Sequence, residues 1–111
     1  MRRVLRLLPF AWLVVAPGCG AEETGAGGAL AKRGRSVYQA NCIACHNVDP
    51  SQDGAVGPAI AGSPLALLQA KVLRNEYPPG YTPKRDTGNM VPLPHLEKEL
   101  PALAAFLAEG S

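Results

Sequence analysis

The residues best suited to chemistry in this chain are two cysteines and a histidine, in the segment Cys42-Ile-Ala-Cys45-His46. Two thiols separated by two residues can each form a thioether to one of the two vinyl groups of a single haem. The adjacent imidazole is then held under the iron, where a neutral ring nitrogen can bind it. The motif predicts one covalent haem c, attached through Cys42 and Cys45, with His46 as proximal iron ligand.

Other interpretations of the motif explain less. A structural zinc site requires four ligands, and only these three residues and His95 are available. A thioredoxin-like redox pair requires a βαβ setting, which the sequence lacks. A simple disulfide leaves His46 unexplained. The haem interpretation is therefore preferred.

Met90 is the predicted distal iron ligand. It lies in a Pro-rich loop 44 residues after His46, far enough along the chain to reach the other face of a haem. A neutral thioether favours Fe(II) and raises the reduction potential. His95 is the rival ligand and would give a low potential, although a surface or capping role is its simpler interpretation. A five-coordinate iron with Met90 displaced would indicate ligand sensing or peroxidase chemistry.

The elements that must position these residues are predicted to be helices. The chain is rich in Ala, Leu, Gly and Pro, and it lacks a strand signal. Apolar spacing predicts helices over 31–41, from an N-cap at Ser63 with Pro64 at N1 to about Glu76, and from near Lys98 to just before Gly110. We expect an all-α fold of three or more helices whose long loops wrap around one haem.

The N-terminal segment has the pattern of an export signal, in which basic residues (Arg2, Arg3 and Arg6) precede an apolar run from Leu7 to Val15. The following Ala16-Pro17-Gly18-Cys19 resembles a bacterial lipoprotein signal and predicts a lipid on Cys19. An ordinary secretory signal and an uncleaved anchor remain open. We expect a signal at 1–19, a Gly-rich flexible tether at 20–28 and the folded domain at 29–111, exported to the periplasm and held at the membrane surface by the lipid.

The charge of the mature chain argues against nucleic acid as a partner. The whole sequence carries a formal charge of +2. Without Arg2, Arg3 and Arg6, eight basic residues stand against nine acidic ones, which gives −1. A nucleic-acid-binding surface would need an excess of basic residues.

Four segments of the sequence, in order, resemble the class I (monohaem) cytochrome c family over roughly residues 30 to 109. They are Gly34-Arg-Ser-Val-Tyr38-Gln-Ala-Asn-Cys42-Ile-Ala-Cys45-His46, Gly57-Pro58-Ala-Ile-Ala-Gly62, Met90 in its Pro-rich loop, and Leu103-Ala-Ala-Phe106-Leu107. The resemblance implies that the first and last helices cross at Gly34, with Tyr38 and Phe106 packed nearby. It also implies that the Pro58 carbonyl accepts a hydrogen bond from His46 Nδ1.

The function that this resemblance implies is one-electron transfer without a small-molecule substrate, because both axial sites of the iron are filled. The partners would be redox proteins, docked transiently and steered by basic side chains, namely Lys32, Arg33, Lys84 and Arg85. Two other functions remain open: a haem subunit of a larger oxidoreductase, and a haem sensor or peroxidase with an open sixth site.

The segment 77–86 departs from the simplest pattern of the family. It is longer and richer in proline than many of the equivalent loops, and Asn75 and Glu76 stand where a glycine is common. Tyr77, Tyr81 or Arg85 could reach a haem propionate, a charge-assisted contact in the case of Arg85. A solvated or partner-facing loop is the alternative.

Overall fold

The regular structure of this protein is helical. The computed structural model describes residues 26–86 and 88–110, which contain three α-helices and one 3-10 helix and no strand. In chain order these are α1 (Ala26–Asn41), α2 (Leu65–Arg74), the 3-10 helix (Pro94–Glu99) and α3 (Leu100–Glu109). The predicted all-α class is confirmed. No helix in the described ranges has the length and apolarity needed to cross a membrane.

Helix α1 begins earlier than the sequence pattern predicted. The expected helix started at residue 31, whereas α1 starts at Ala26, so residues 26–28 are helical rather than part of a tether. Adding residues to an existing helix costs far less than nucleating one, which offsets the poor propensity of Gly27 and Gly28. The predicted signal at 1–19, Cys19 and residues 20–25 lie outside the described residues.

The close crossing of α1 and α3 forms the centre of the fold. A Cβ on Gly34 would overlap the carbonyl group of Ala102 and lie 2.9 Å from the backbone nitrogen of Leu103. The rings of Tyr38 and Phe106 pack nearby, with centroids 5.4 Å apart and planes tilted by 48°. Both contacts implied by the resemblance are therefore present.

The buried core extends from this crossing to α2. Its members are apolar side chains and one thiol from α1, the motif, α2, the 3-10 helix and α3: Val37, Tyr38, Cys42, Leu68, Val72, Leu96, Leu100, Leu103 and Leu107. At the surface of the crossing, the Arg33 guanidinium binds the Glu99 carboxylate through two hydrogen bonds of 2.6 and 3.0 Å. These bonds lower the pKa of Glu99.

Helix α2 differs from its prediction at the start and matches it closely at the end. Ser63 does not cap the helix, because its hydroxyl donates to the Ile60 carbonyl (2.6 Å), and Pro64 occupies the N-cap position. The helix ends at Arg74, and Asn75 adopts the left-handed conformation (φ 54°, ψ 40°). Asparagine tolerates this conformation better than most residues, so Asn75 replaces the glycine that is common at this point.

The C-terminal helix is preceded by a 3-10 segment that the sequence did not indicate. The prediction placed one helix from near Lys98, whereas the 3-10 helix covers Pro94–Glu99 and α3 starts at Leu100. Pro101 lies in the first turn of α3, as expected, since its missing N–H has no helical partner to lose there. The Leu93 N–H donates to the Val72 carbonyl (2.6 Å), which ties this region to α2.

Candidate functional site

One large, mostly apolar pocket opens beside the end of α1 and encloses about 1260 Å³, counting the part that is open to solvent. Helix α2, the segment 56–60 and the loops before the 3-10 helix form its other walls. Every site residue predicted in the domain lines it: Cys42, Cys45, His46, Pro58, Tyr77, Tyr81, Arg85 and Met90. The fold thus brings together residues that are up to 48 positions apart in the sequence.

The two cysteines follow directly from the end of α1. The N–H of Cys45 and the N–H of His46 both donate to the Cys42 carbonyl (3.2 and 2.9 Å), which folds the motif into a tight turn. Cys42 is buried and Cys45 is exposed, and both are free thiols. Burial, with a smaller contribution from Cys45, raises the pKa of the Cys42 thiol to about 11. Before any reaction with haem, Cys42 is therefore present as a thiol at neutral pH.

His46 is held by one nitrogen and presents the other. Its Nδ1 lies 2.8 Å from the Pro58 carbonyl, and since a carbonyl can only accept, Nδ1 is the donor. The lone pair is then on Nε2, the nitrogen available to a metal. The hydrogen bond implied by the resemblance is present, and such a bond makes Nε2 a stronger electron donor to a metal.

Gly57 controls the position of this imidazole, a role that sequence reasoning missed. A Cβ on Gly57 would lie 2.6 Å from His46 Nδ1 and 2.9 Å from Nε2, closer than real Cβ atoms approach their neighbours. The ring therefore rests on the backbone of residue 57, where only a glycine fits. The Gly57-Pro58 pair in the sequence was the available signal, but it does not reveal which side chain needs the space.

The Pro58 carbonyl owes its position to a network around residues 53–59. The N–H groups of Val56 and Gly57 donate to the Cys45 carbonyl (3.1 and 2.9 Å), which joins this segment to the cysteine motif. The Asp53 carboxylate accepts from the Ala59 N–H (2.8 Å). Segment 53–59 is thus fastened on both sides of Pro58.

Met90 lies in the pocket and packs, partly buried, against the core. Its loop is held two residues earlier, where the Asn75 side-chain amide donates to the Gly88 carbonyl (3.1 Å). His95 does not line this pocket. It is exposed and lies instead beside Arg33 and Glu99 in a surface depression on the 3-10 helix side. Met90, and not His95, therefore lines the same pocket as His46.

The rim of the pocket is positively charged. Its charged lining residues are Lys71, Lys84 and Arg85, and among the described residues no Asp or Glu lines it. Lys71 Nζ donates to the Tyr77 hydroxyl (3.1 Å) and lies 4.3 Å from the centroid of that ring. The sequence did not single out Lys71, because only the fold reveals that its position on α2 faces the pocket.

These residues fit a haem. Two thiols and an imidazole with a bound Nδ1 stand on one side of an apolar pocket, and a thioether lines the same space. The cationic rim suits the carboxylates of such a group. In the described ranges no three His, Cys, Asp or Glu side chains are grouped to hold a bare metal ion, so the zinc alternative gains no support.

Comparison with known proteins agrees with this site. Residues 29–107 match the family model described as cytochrome C oxidase, cbb3-type, subunit III. A cytochrome c-553-like protein from Synechocystis sp. (strain ATCC 27184 / PCC 6803 / Kazusa) is 31% identical over 77 residues, which are 69% of this chain and 63% of that protein. The chain thus spans less than two thirds of that relative's length. No solved structure matches. Because the family match includes the Cys-x-x-Cys-His motif, the pocket and the α1–α3 crossing, this chain belongs to the monohaem cytochrome c family, which implies haem c as its cofactor.

Proposed function

We propose that the protein is a one-electron carrier with one haem c attached through Cys42 and Cys45 and bound axially by His46 and Met90. The observation that carries the proposal is that the imidazole, with Nδ1 engaged by Pro58, and the Met90 thioether line one apolar pocket. When bound, haem c supplies an iron that alternates between Fe(III) and Fe(II). With both axial positions filled, the chain needs no general acid, base or nucleophile.

The protein tunes the potential of such a site in two opposing ways. The Pro58 carbonyl makes His46 a stronger donor, which favours Fe(III). The neutral Met90 thioether favours Fe(II). The apolar walls of the pocket would limit access of water to a bound iron, which would also favour the less charged, reduced state.

Tyr77, Tyr81 and Arg85 are proposed to bind the haem propionates. All three line the pocket, and the two tyrosine rings are stacked with centroids 5.5 Å apart and planes 10° from parallel. Arg85 already donates to the Val56 carbonyl (2.8 Å). A guanidinium has five N–H donors, so Arg85 can keep that bond and still bind a carboxylate.

We propose redox proteins as the partners. Lys32, Arg33, Lys84 and Arg85 are the basic side chains for steering such a partner. Of these, Arg33 is paired with Glu99 and Arg85 lies 3.7 Å from an Asp53 carboxylate oxygen, so Lys32 and Lys84 are expected to contribute more to steering. The description of the matched family as an oxidase subunit supports a second candidate, a haem subunit within a larger oxidoreductase. Co-purification with other subunits from native membranes would favour the second candidate.

We also propose export. Residues 1–19 act as the signal, Cys19 carries a lipid, and residues 20–25 link the lipid to a domain whose first helix starts at Ala26. Mass spectrometry of the mature protein tests this directly. A mass that begins at Cys19 with added acyl groups supports the lipid anchor, and an unmodified N-terminus at another residue contradicts it.

The decisive test of the haem site is absorption spectroscopy of both redox states, from a host able to attach haem. We expect a Soret band that stays with the denatured polypeptide, and in the oxidised form the weak far-red band of Fe(III)–thioether ligation. Met90→Ala should lose the far-red band, and the control His95→Ala should keep it. Absence of a Soret band would refute the proposal. Rapid carbon monoxide binding by the reduced wild type would favour the sensor or peroxidase alternative.

A further inference from the structure

The loop of residues 77–86 is fastened to the segment that holds His46. Lys84 Nζ donates to the Ala59 carbonyl (2.6 Å), and Arg85 Nη1 donates to the Val56 carbonyl (2.8 Å). These carbonyls belong to residues on the two sides of Gly57-Pro58. The two cations therefore span the short stretch whose Pro58 carbonyl accepts from the imidazole.

Other bonds hold the same stretch as well, among them the bond from the Gly54 N–H to the Gly57 carbonyl (2.9 Å). Its N–H groups at residues 56 and 57 donate to the Cys45 carbonyl. Its carbonyls at residues 56 and 59 accept from Arg85 and Lys84 respectively. Asp53 reinforces the arrangement, because its Oδ1 accepts from the Ala59 N–H (2.8 Å) and lies 3.7 Å from Arg85 Nη2. The Pro58 backbone is thus held from both faces.

The loop that carries the two cations is itself preorganised. The Tyr81 N–H donates to the Pro78 carbonyl (3.1 Å), and Gly80 has φ 80°, which identifies a type II turn with Pro79 at its second position. The turn is accompanied by stacking of the Tyr81 ring on the Tyr77 ring. The Tyr77 hydroxyl also accepts a hydrogen bond from Lys71 Nζ. Such a loop loses little further entropy when it holds another segment.

We propose that Lys84 and Arg85 are positioning residues that hold the Pro58 carbonyl against His46 Nδ1. The inference rests on the proposed function, in which His46 binds the iron. By fixing this acceptor, the two side chains keep the Nδ1–H bond short and the imidazole strongly donating. Neither side chain needs to touch the metal or its ligands to do so.

Loss of positive charge alone would have a different signature. A cation beside the pocket stabilises Fe(II), so its removal lowers the reduction potential. A weaker Nδ1–H bond makes His46 a poorer donor, which raises the potential. The potential therefore mixes two opposing effects, whereas the solvent exchange rate of the His46 Nδ1 proton reports the hydrogen bond itself.

The experiment measures that exchange rate by NMR in the reduced holoprotein, which is diamagnetic when both axial sites are filled. The variants are Lys84→Met, Arg85→Met and the double variant. We expect exchange to be about tenfold faster in the double variant, the factor that corresponds to losing about one ordinary hydrogen bond, here the one from His46 Nδ1 to the Pro58 carbonyl. The conservative variants Lys84→Arg and Arg85→Lys keep a charged donor and should stay within about twofold of wild type. Lys98→Met, on the exposed face of the 3-10 helix, is the control and should not change the rate.

The outcomes separate this inference from the proposed function. If the double variant has a normal haem spectrum and exchanges its Nδ1 proton at the wild-type rate, the positioning role is refuted and the electron carrier stands. If the methionine variants lower the potential and leave exchange unchanged, the two residues act only through charge. If wild-type protein binds no haem through His46, the proposed function fails and this inference fails with it.

Discussion

Gly34→Ala tests the helix crossing on which the pocket depends. The new methyl group would enter the space of the Ala102 carbonyl and lie 2.9 Å from the Leu103 nitrogen. Both obstacles are backbone atoms, which cannot turn aside as a flexible side chain can, so α1 and α3 must separate. Separation would loosen the packing of Tyr38 and Leu103, whose side chains are 0% and 1% exposed.

The size of the effect follows from two opposing contributions. Overpacking of this kind costs about 1–3 kcal/mol, and the rigid obstacle places Gly34→Ala at the upper end. Replacing glycine by alanine within a helix returns about 1 kcal/mol. We therefore expect the free energy of unfolding to fall by about 2 kcal/mol, or the midpoint of thermal unfolding to fall by roughly 8–16 °C for a domain of this size.

The assay is denaturant unfolding of the holoprotein, followed by far-ultraviolet circular dichroism. Ser36→Ala, at an exposed position of α1, is the matched control and should stabilise slightly through helix propensity alone, by about 0.5 kcal/mol or less. Adding Ala102→Gly to Gly34→Ala should not restore stability, because the obstacle is the carbonyl and not the Ala102 methyl group. A Gly34→Ala protein as stable as wild type would refute the close crossing.

Substitutions at three further positions test the site and its supports. Gly57→Ala should displace the His46 ring and speed exchange of its Nδ1 proton, which NMR of the reduced holoprotein would show; an unchanged rate would contradict the steric role. Burial raises the pKa of Tyr38 to about 12, from 10.0 in the unfolded chain. In denaturant titrations, the stability of wild type relative to Tyr38→Phe should therefore be constant below pH 10 and fall between pH 10 and 12, by at most ~1.4 kcal/mol per pH unit. A difference that does not depend on pH would contradict the shift. Asn75→Ala should lower the free energy of unfolding by about 1–2 kcal/mol, because alanine is strained in the left-handed conformation of residue 75. Asn75→Gly should recover most of this loss, although it also lacks the bond to Gly88. Equal unfolding midpoints for the two variants would argue against that conformation.

The chemistry of the site could be predicted from the sequence because short local patterns indicate it. The spacing of Cys42, Cys45 and His46 identified the motif, and helical spacing identified the buried face of α1. The resemblance to a known family supplied the contacts of Gly34 and of the Pro58 carbonyl, both of which the structure contains. Each of these two contacts joins one short sequence segment to one other segment.

The sequence did not reveal which of several possible hydrogen-bond partners a polar side chain would choose. Ser63 had the right type and position for an N-cap, yet its hydroxyl found the Ile60 carbonyl, a choice that residue preference cannot decide. The contacts of Lys84 and Arg85 join residues 25 and 29 positions apart, and nothing in the local sequence selects those carbonyls. Lys71 was missed for the same reason.

Two bonds tie the Met90 loop to α2 and its C-cap residue Asn75, one at Gly88 and one at Leu93, and they leave only four residues between fixed points. If Met90 binds the iron as proposed, this short tether would keep its thioether near the iron after dissociation, at an effective concentration on the order of millimolar or higher. Small molecules from solution would then compete for the iron with a Met90 thioether that rebinds quickly. In the proposed carrier, the sixth position would then stay closed to oxygen and carbon monoxide through repeated redox cycles.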